Sequence, residues 1–296
     1  MKTLLLVAVS ALALAACTPA KTPAPASVEA ATVAAETAPA MTLAEAVASD
    51  LRSEEEKARD VWRSPAMTLE FFGVDADDKV VEVWPGGGWY TNILAPWLAS
   101  GGGTLVAAGF DAASIEDAER RARTEQRLAE FKATYADQKF GTIEHTAFSA
   151  ASGPLTGDGT ADVVLTFRNI HNWMSGGYTE KFFADAYTAL KPGGVLGVVE
   201  HRLPSTQAQD PKATSGYVHE DYVKALAAAA GFEFVEASEI NANPADTADH
   251  PFGVWTLPPN NASTGRDGAA VEGFDPEKYK AIGESDRMTL KFRKPE

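Results

Sequence analysis

The chain has 296 residues, 45% of them apolar and 23% charged, which excludes a collagen-like or wholly disordered chain. At this length a core needs neither a disulfide nor a metal, and there is a single cysteine. Forty-one acidic against 26 basic residues give a net charge of −15, which repels phosphate backbones and makes nucleic acid an unexpected partner.

In chain order, Met1 and Lys2 precede an apolar run from Leu4 to Ala16 that is too short for a mature membrane span and reads as an export signal. Leu14, Ala15, Ala16 and Cys17 resemble the lipobox of bacterial lipoproteins, which implies a signal over 1–17 and a lipid on Cys17. With its only cysteine acylated, the chain has no disulfide. Residues 18–40 are almost wholly Ala, Thr, Pro, Val and Glu, a composition expected to stay disordered and act as a tether. Thr18 after the cysteine resembles the sorting pattern for the outer membrane, so a lipid-anchored envelope location on the periplasmic side is expected, with the anchor as the sole membrane contact.

Residues 41–296 read as one domain. A capping pattern at Thr42 and Glu45 and apolar residues at helical spacing predict an N-terminal helix over 42–62, ending before Pro65. Short apolar runs at 79–84, 103–108, 161–167 and 195–199 predict buried parallel strands, and 288–292 a closing strand. Helices are expected over 114–138, 179–190 and 218–230, with long loops at 241–249 and 258–273. This alternation predicts an α/β fold: a doubly wound, Rossmann-like, mostly parallel sheet carrying an N-terminal helical extension.

The most informative stretch runs from Val80 through Glu82, Trp84, Pro85, Gly86, Gly87 and Gly88 to Ala95: a strand ending in an acid, a glycine turn, then a helix start. Such a turn lets a small ligand approach backbone amides. It resembles the first motif of class I S-adenosylmethionine-dependent methyltransferases, with Trp84 where that family usually has its first glycine. Asp111 resembles the family's ribose-binding acid, residues 161–173 its fourth-strand motif, and Leu-Lys-Pro-Gly-Gly at 190–194 the entry to its fifth strand. The run from Trp84 to Thr91, the strand-end residues Arg168 to Trp173 and Glu200 to Arg202, and the ending 285–295 resemble a little-characterised group of exported, methyltransferase-like bacterial lipoproteins. The resemblance implies S-adenosylmethionine as cofactor, held by Glu82, Gly86, Gly87, Gly88 and Asp111, with Arg168 and Asn169 beside it, and a small-molecule methyl acceptor.

Residues just beyond the carboxyl ends of the strands converge in such sheets. His171, Glu200, His201 and Arg202 therefore form the candidate catalytic group, His171 or His201 serving as base because imidazole titrates near neutrality. His219 and Glu220 could close over the same mouth. A zinc-type site from these histidines and acids lacks any compact ligand spacing, so no metal is expected. No Gly-x-Ser-x-Gly elbow supports a hydrolase. Two functions stay open: a methyltransferase, or an exported, non-catalytic binding module on a degenerate methyltransferase fold. The second is prompted by Trp84 and by a compartment poor in adenosylmethionine.

Overall fold

The computed structural model describes residues 40–265 and 267–296. The expected signal, Cys17 and all of the tether but Ala40 lie outside the described residues.

Three short helices stand where one was expected over 42–62, α1 (Leu43–Ala48), α2 (Glu54–Lys57) and α3 (Asp60–Arg63), and α4 (Pro65–Phe72) follows. The physical reason is local capping. Thr42 and Ser53 each accept from the backbone three residues on while Glu45 and Glu56 reach back, so the second reciprocal cap starts a new helix. Pro65 occupies the first turn of α4, where no backbone donor is missed, and so opens a helix rather than closing one.

The α/β alternation follows as β1 (Lys79–Val83), α5 (Thr91–Gly101), β2 (Thr104–Phe110), α6 (Ala118–Thr134), β3 (Ile143–Phe148) and β4 (Ala161–Phe167). It continues with α7 (Ile170–Gly176), α8 (Thr179–Ala189), β5 (Leu190–His201), α9 (Glu220–Ala229), β6 (Glu233–Ser238), α10 (Pro276–Ile282) and β7 (Arg287–Arg293). The seven strands lie in the order β3-β2-β1-β4-β5-β7-β6, all parallel except β7, which runs antiparallel to both neighbours. The doubly wound, mostly parallel sheet with N-terminal helices expected from the sequence is the observed fold. The strands the sequence reading lacked, β3 and β6, are the two edges of the sheet; half-exposed, mixed-polarity strands carry no continuous apolar run to read. Helix α6 is capped by Asp117, whose carboxylate accepts from Arg120 N, and does not start at Ser114, which sits in a single 3-10 turn.

Alternation along the strands divides the core. Val81, Val83, Trp173, Phe182, Phe183 and Leu196 fill one face of the sheet, and Val80, Leu69, Ile93, Leu94 and Leu165 the other. The strand order reverses between β1 and β4, which opens a crevice beyond their carboxyl ends. Among the described residues no helix is long and apolar enough to cross a membrane.

Candidate functional site

The crevice is a cavity of about 460 Å³ at the ends of β1 and β4. Its floor is Glu82, Trp84 and the Gly86-Gly87 turn from β1, with Arg168 and Asn169 from β4 and His201 from β5. The helical extension adds Arg59 and Arg63, and the loop before β7 adds Glu284, Ser285 and Arg287. Trp255, Leu257 and Pro258 wall the mouth.

Two bulky residues are strained here. Trp84 has φ 54 and Arg168 has φ 62, so the ends of adjacent strands both hold a non-glycine in left-handed backbone. Such strain persists only where the surroundings over-determine it, and it gathers at functional sites.

Trp84 decides what the crevice can admit. Its indole lies tilted 4.3 Å from Phe110 at the end of β2, 6.4 Å from Phe148 at the end of β3 and 5.6 Å from Trp173 in α7, and donates Nε1–H to the Phe148 carbonyl at 2.9 Å. The ring therefore covers the ends of β2 and β3, the side on which a nucleoside would meet an acid following β2. That acid, Asp111, already accepts from Ala113 N at 3.1 Å with one oxygen and from Ser149 Oγ at 2.8 Å with the other. In this conformation the indole takes up the adenosine side of this crevice, and both oxygens of Asp111 are engaged within the protein.

The remaining glycines divide in role. Gly86 and Gly87 are exposed, and a Cβ at either would meet nothing within 4 Å. Gly88 is buried with φ 89 against the Tyr135 hydroxyl, so it serves packing between the turn and the residue capping α6. Asn169 donates to the Val83 carbonyl at 3.0 Å and to Thr166 Oγ1 at 3.3 Å, clasping the end of β1 to β4.

Glu82 is fully buried and accepts from Thr91 Oγ1 at 2.6 Å. Burial pushes its carboxyl up to about 7, against the Thr91 hydroxyl and the Arg168 charge, which pull it down. Because the folded form holds its proton more tightly than the unfolded chain, the associated stability is present below pH 4.5 and is lost as pH rises from there through 7. About 3 kcal/mol is the order expected from roughly 1.4 kcal/mol per pH unit. Glu82→Gln is expected to flatten the dependence of urea midpoints between pH 5 and 8 and to exceed the wild type at pH 8; an unchanged slope would refute the assignment.

Two of the three candidate histidines meet, and of the candidate catalytic group only His201 lines the cavity. His171 Nδ1 lies 3.1 Å from Glu200 Oε1, and the His171 and His201 rings are 5.4 Å apart. Glu200 is fully buried and also accepts from the backbone of His171 at 3.3 Å and of His201 at 2.8 Å. His201 lines the cavity, with Nδ1 held 2.6 Å from Ser285 Oγ. Burial first, then His171, Arg287, Arg168 and Arg63, drive the His201 imidazole well below its usual value, which favours its neutral form and makes it a weak proton acceptor.

His171, Glu200 and His201 offer ligand-type atoms within 4.8 Å of one another. Glu200 accepts from three N–H donors, which ties α7 and the end of β5 together by hydrogen bonds.

Arg202 points away from the cavity, donating to Asp286 at 2.8 Å and to Glu239 at 2.7 and 2.6 Å. His219 donates its backbone N–H to Gln209, and Glu220 pairs with Lys224 at 2.7 Å. Neither lies in the cavity lining. The sequence reading missed Arg59, Arg63, Glu284, Ser285 and Arg287 as cavity residues. They come from the two ends of the domain, and Glu284 receives Arg59 Nε at 2.6 Å across 225 positions of sequence.

A second cavity, of about 1010 Å³, lies between α6 and the β2–β3 side of the sheet and is bordered by Gly86, Gly87 and Asp111 together with Leu128, Phe131 and His145.

No family model matches the chain, and no curated protein matches it in sequence. Solved structures do. The [4+2]-cyclase SpnF is similar at 15% identity over 86% of this chain and 91% of its own, with a TM-score of 0.53. A protein of Galdieria sulphuraria assigned as a sarcosine dimethylglycine methyltransferase is similar at 14% identity over 81% and 86%, with a TM-score of 0.52. The fold is that of the class I, Rossmann-like methyltransferases, and the two neighbours, one described as a cyclase, leave the reaction to be argued from the site.

Proposed function

We propose that this protein is an exported small-molecule-binding module on a class I methyltransferase fold, taking its ligand in the cavity at the ends of β1 and β4 without S-adenosylmethionine. The observation that carries this reading is Trp84, whose indole is bonded into the place a nucleoside would need while the cavity beside it stays open. His201, lining that cavity with its Nδ1 held by Ser285 Oγ, is the imidazole placed to hydrogen-bond the ligand.

Methyl transfer from S-adenosylmethionine is the second reading. It is favoured by the open Gly86-Gly87 turn and by the larger cavity that this turn shares with Asp111. Were the cofactor bound, it would supply the methyl group, with Glu82, Gly86, Gly87 and Asp111 as its nearest protein groups. Calorimetric titration of the full chain with S-adenosylhomocysteine separates the two. No heat at millimolar ligand is expected, and micromolar binding would replace the first reading by the second.

The export signal, the lipid on Cys17 and an outer-membrane, periplasm-facing location belong to the same proposal and rest on sequence. Radiolabelled palmitate is expected to enter the bacterially expressed chain and to be absent from Cys17→Ser; equal labelling would remove the anchor. The acidic net charge supports a small-molecule rather than a nucleic-acid partner.

A further inference from the structure

The cavity holds a surplus of positive charge. Arg59, Arg63, Arg168 and Arg287 line it against Glu56, Glu82 and Glu284. Glu284 alone receives three of the guanidiniums, Arg59 at 2.6 Å, Arg63 at 3.0 Å and Arg287 in closer contact still. Glu56 is engaged by Asn92 Nδ2 at 2.8 Å and by the Ser53 backbone at 2.8 Å. Glu82 faces Thr91 and is half protonated near pH 7.

Arg168 is left over. Among the described residues its guanidinium has neither an ion pair nor a hydrogen bond, although its backbone N–H is bonded to the Val199 carbonyl at 2.7 Å. Two further donors of the same wall, Arg59 Nη2 and Arg287 Nε, are buried without a partner. Arg168 is half-buried, so its guanidinium lies at the cavity surface without a protein partner, and it sits on left-handed backbone as well. Burial, with Arg63 and Arg287 close by, lowers the affinity of Arg168 for its own proton, the mark of a cation set among cations. The same cavity is also lined by Phe167, Trp255, Leu257 and Pro258, which offer apolar surface.

We propose that Arg168, with the free donors of Arg59 and Arg287, forms a binding site for the carboxylate or phosphate of a small organic acid whose apolar body lies against Trp255 and Phe167. The inference deepens the small-molecule reading above and rests on it. A carboxylate or a phosphate presents two oxygens to the two-pronged donation that Arg168 lacks within the protein. The cavity volume suits a compact ligand of this kind. The site also explains why a strained arginine without a protein partner is kept on the cavity floor.

The test uses the full chain with benzoate, phenyl phosphate and neutral benzamide as probes, read by thermal shift and calorimetry on the wild type, Arg168→Met and Arg168→Lys. Saturable stabilisation by benzoate or phenyl phosphate but not benzamide is expected, and the tighter of the two anions tells a carboxylate from a phosphate source. Arg168→Met should melt several degrees higher than the wild type without ligand and bind the anion at least tenfold more weakly. Arg168→Lys, which keeps the charge and loses the fork, should fall between the two. Equal anion binding by wild type and Arg168→Met, or benzamide binding as well as benzoate, overturns the site. So does an Arg168→Met protein that melts lower or fails to fold, because the arginine would then be structural. Binding of S-adenosylhomocysteine by the wild type would sink the cofactor-free reading while leaving the Arg168 comparison to decide the anion site separately.

Discussion

Glu284→Gln is expected to be the most damaging single substitution at this site, lowering stability by about 3–5 kcal/mol, the range for breaking a buried ion pair from one side. The carboxylate is 2% exposed and accepts from Arg59, Arg63 and Arg287, so an amide there leaves three guanidiniums without their anion. Arg287 also donates to the Trp62 carbonyl at 2.9 Å, which fastens α3 to the start of β7. The loss should therefore loosen the helical extension as a unit. For a domain of this size the melting temperature should drop by roughly 10 °C. Burial alone would raise the Glu284 carboxyl, but Arg287, Arg63 and Arg59 together hold it down at about 2. Its stabilisation is thus complete above pH 4.5 and fades as pH falls from there toward 2, a limb expected in the wild type and missing in Glu284→Gln. Acid unfolding curves of the two proteins check this. A variant within 1 kcal/mol of the wild type, with the same acid limb, would show that the three arginines are satisfied elsewhere.

Trp84→Gly is expected to create nucleoside binding where the wild type has none. Removing the indole clears the space between Phe110, Phe148 and Trp173 and frees the Phe148 carbonyl, a backbone acceptor suited to an amino group. Glycine also tolerates the φ of 54 that strains tryptophan. Loss of aromatic packing should cost about 3 kcal/mol, offset in part by about 1 kcal/mol of relieved strain, so the variant should remain folded. S-adenosylhomocysteine binding by calorimetry should go from undetectable to micromolar. If a folded Trp84→Gly protein also gives no heat, Trp84 is not what excludes the nucleoside, and the engaged carboxylate of Asp111 becomes the barrier to test next.

The predicted elements and the observed ones differ where local chemistry outweighs periodicity. Around 42–62 the apolar spacing is helical, yet the reciprocal cap at Ser53 and Glu56 restarts the chain, and a periodicity count does not see where a cap cuts it. The edge strands β3 and β6 escaped because an edge is buried on too little of its surface to need a continuous apolar run. The expected site residues Glu82, Gly86, Gly87, Arg168, Asn169 and His201 do line one cavity, as the strand-end rule implies. Arg202 does not, because β5 and β7 pair antiparallel there and Asp286 lies within reach of its guanidinium.

By itself the sequence determined the class of fold, through the alternation of Val-rich runs with amphipathic helices, and the end of the sheet at which a ligand can sit, through the glycine turn after Glu82. Those are local properties: periodicity, turn chemistry and the order of elements along the chain. The tertiary structure decided what the crevice admits. Whether Trp84 turns outward or fills the nucleoside side depends on Phe110, Phe148 and Trp173, which three other segments bring to it. Whether an arginine is paired depends on partners more than 200 positions away, as with Arg63 and Glu284, and on their absence, as with Arg168. Charge satisfaction and volume exclusion are set by distances in space, and the spacing of residues along a chain does not fix those distances until the sheet has closed.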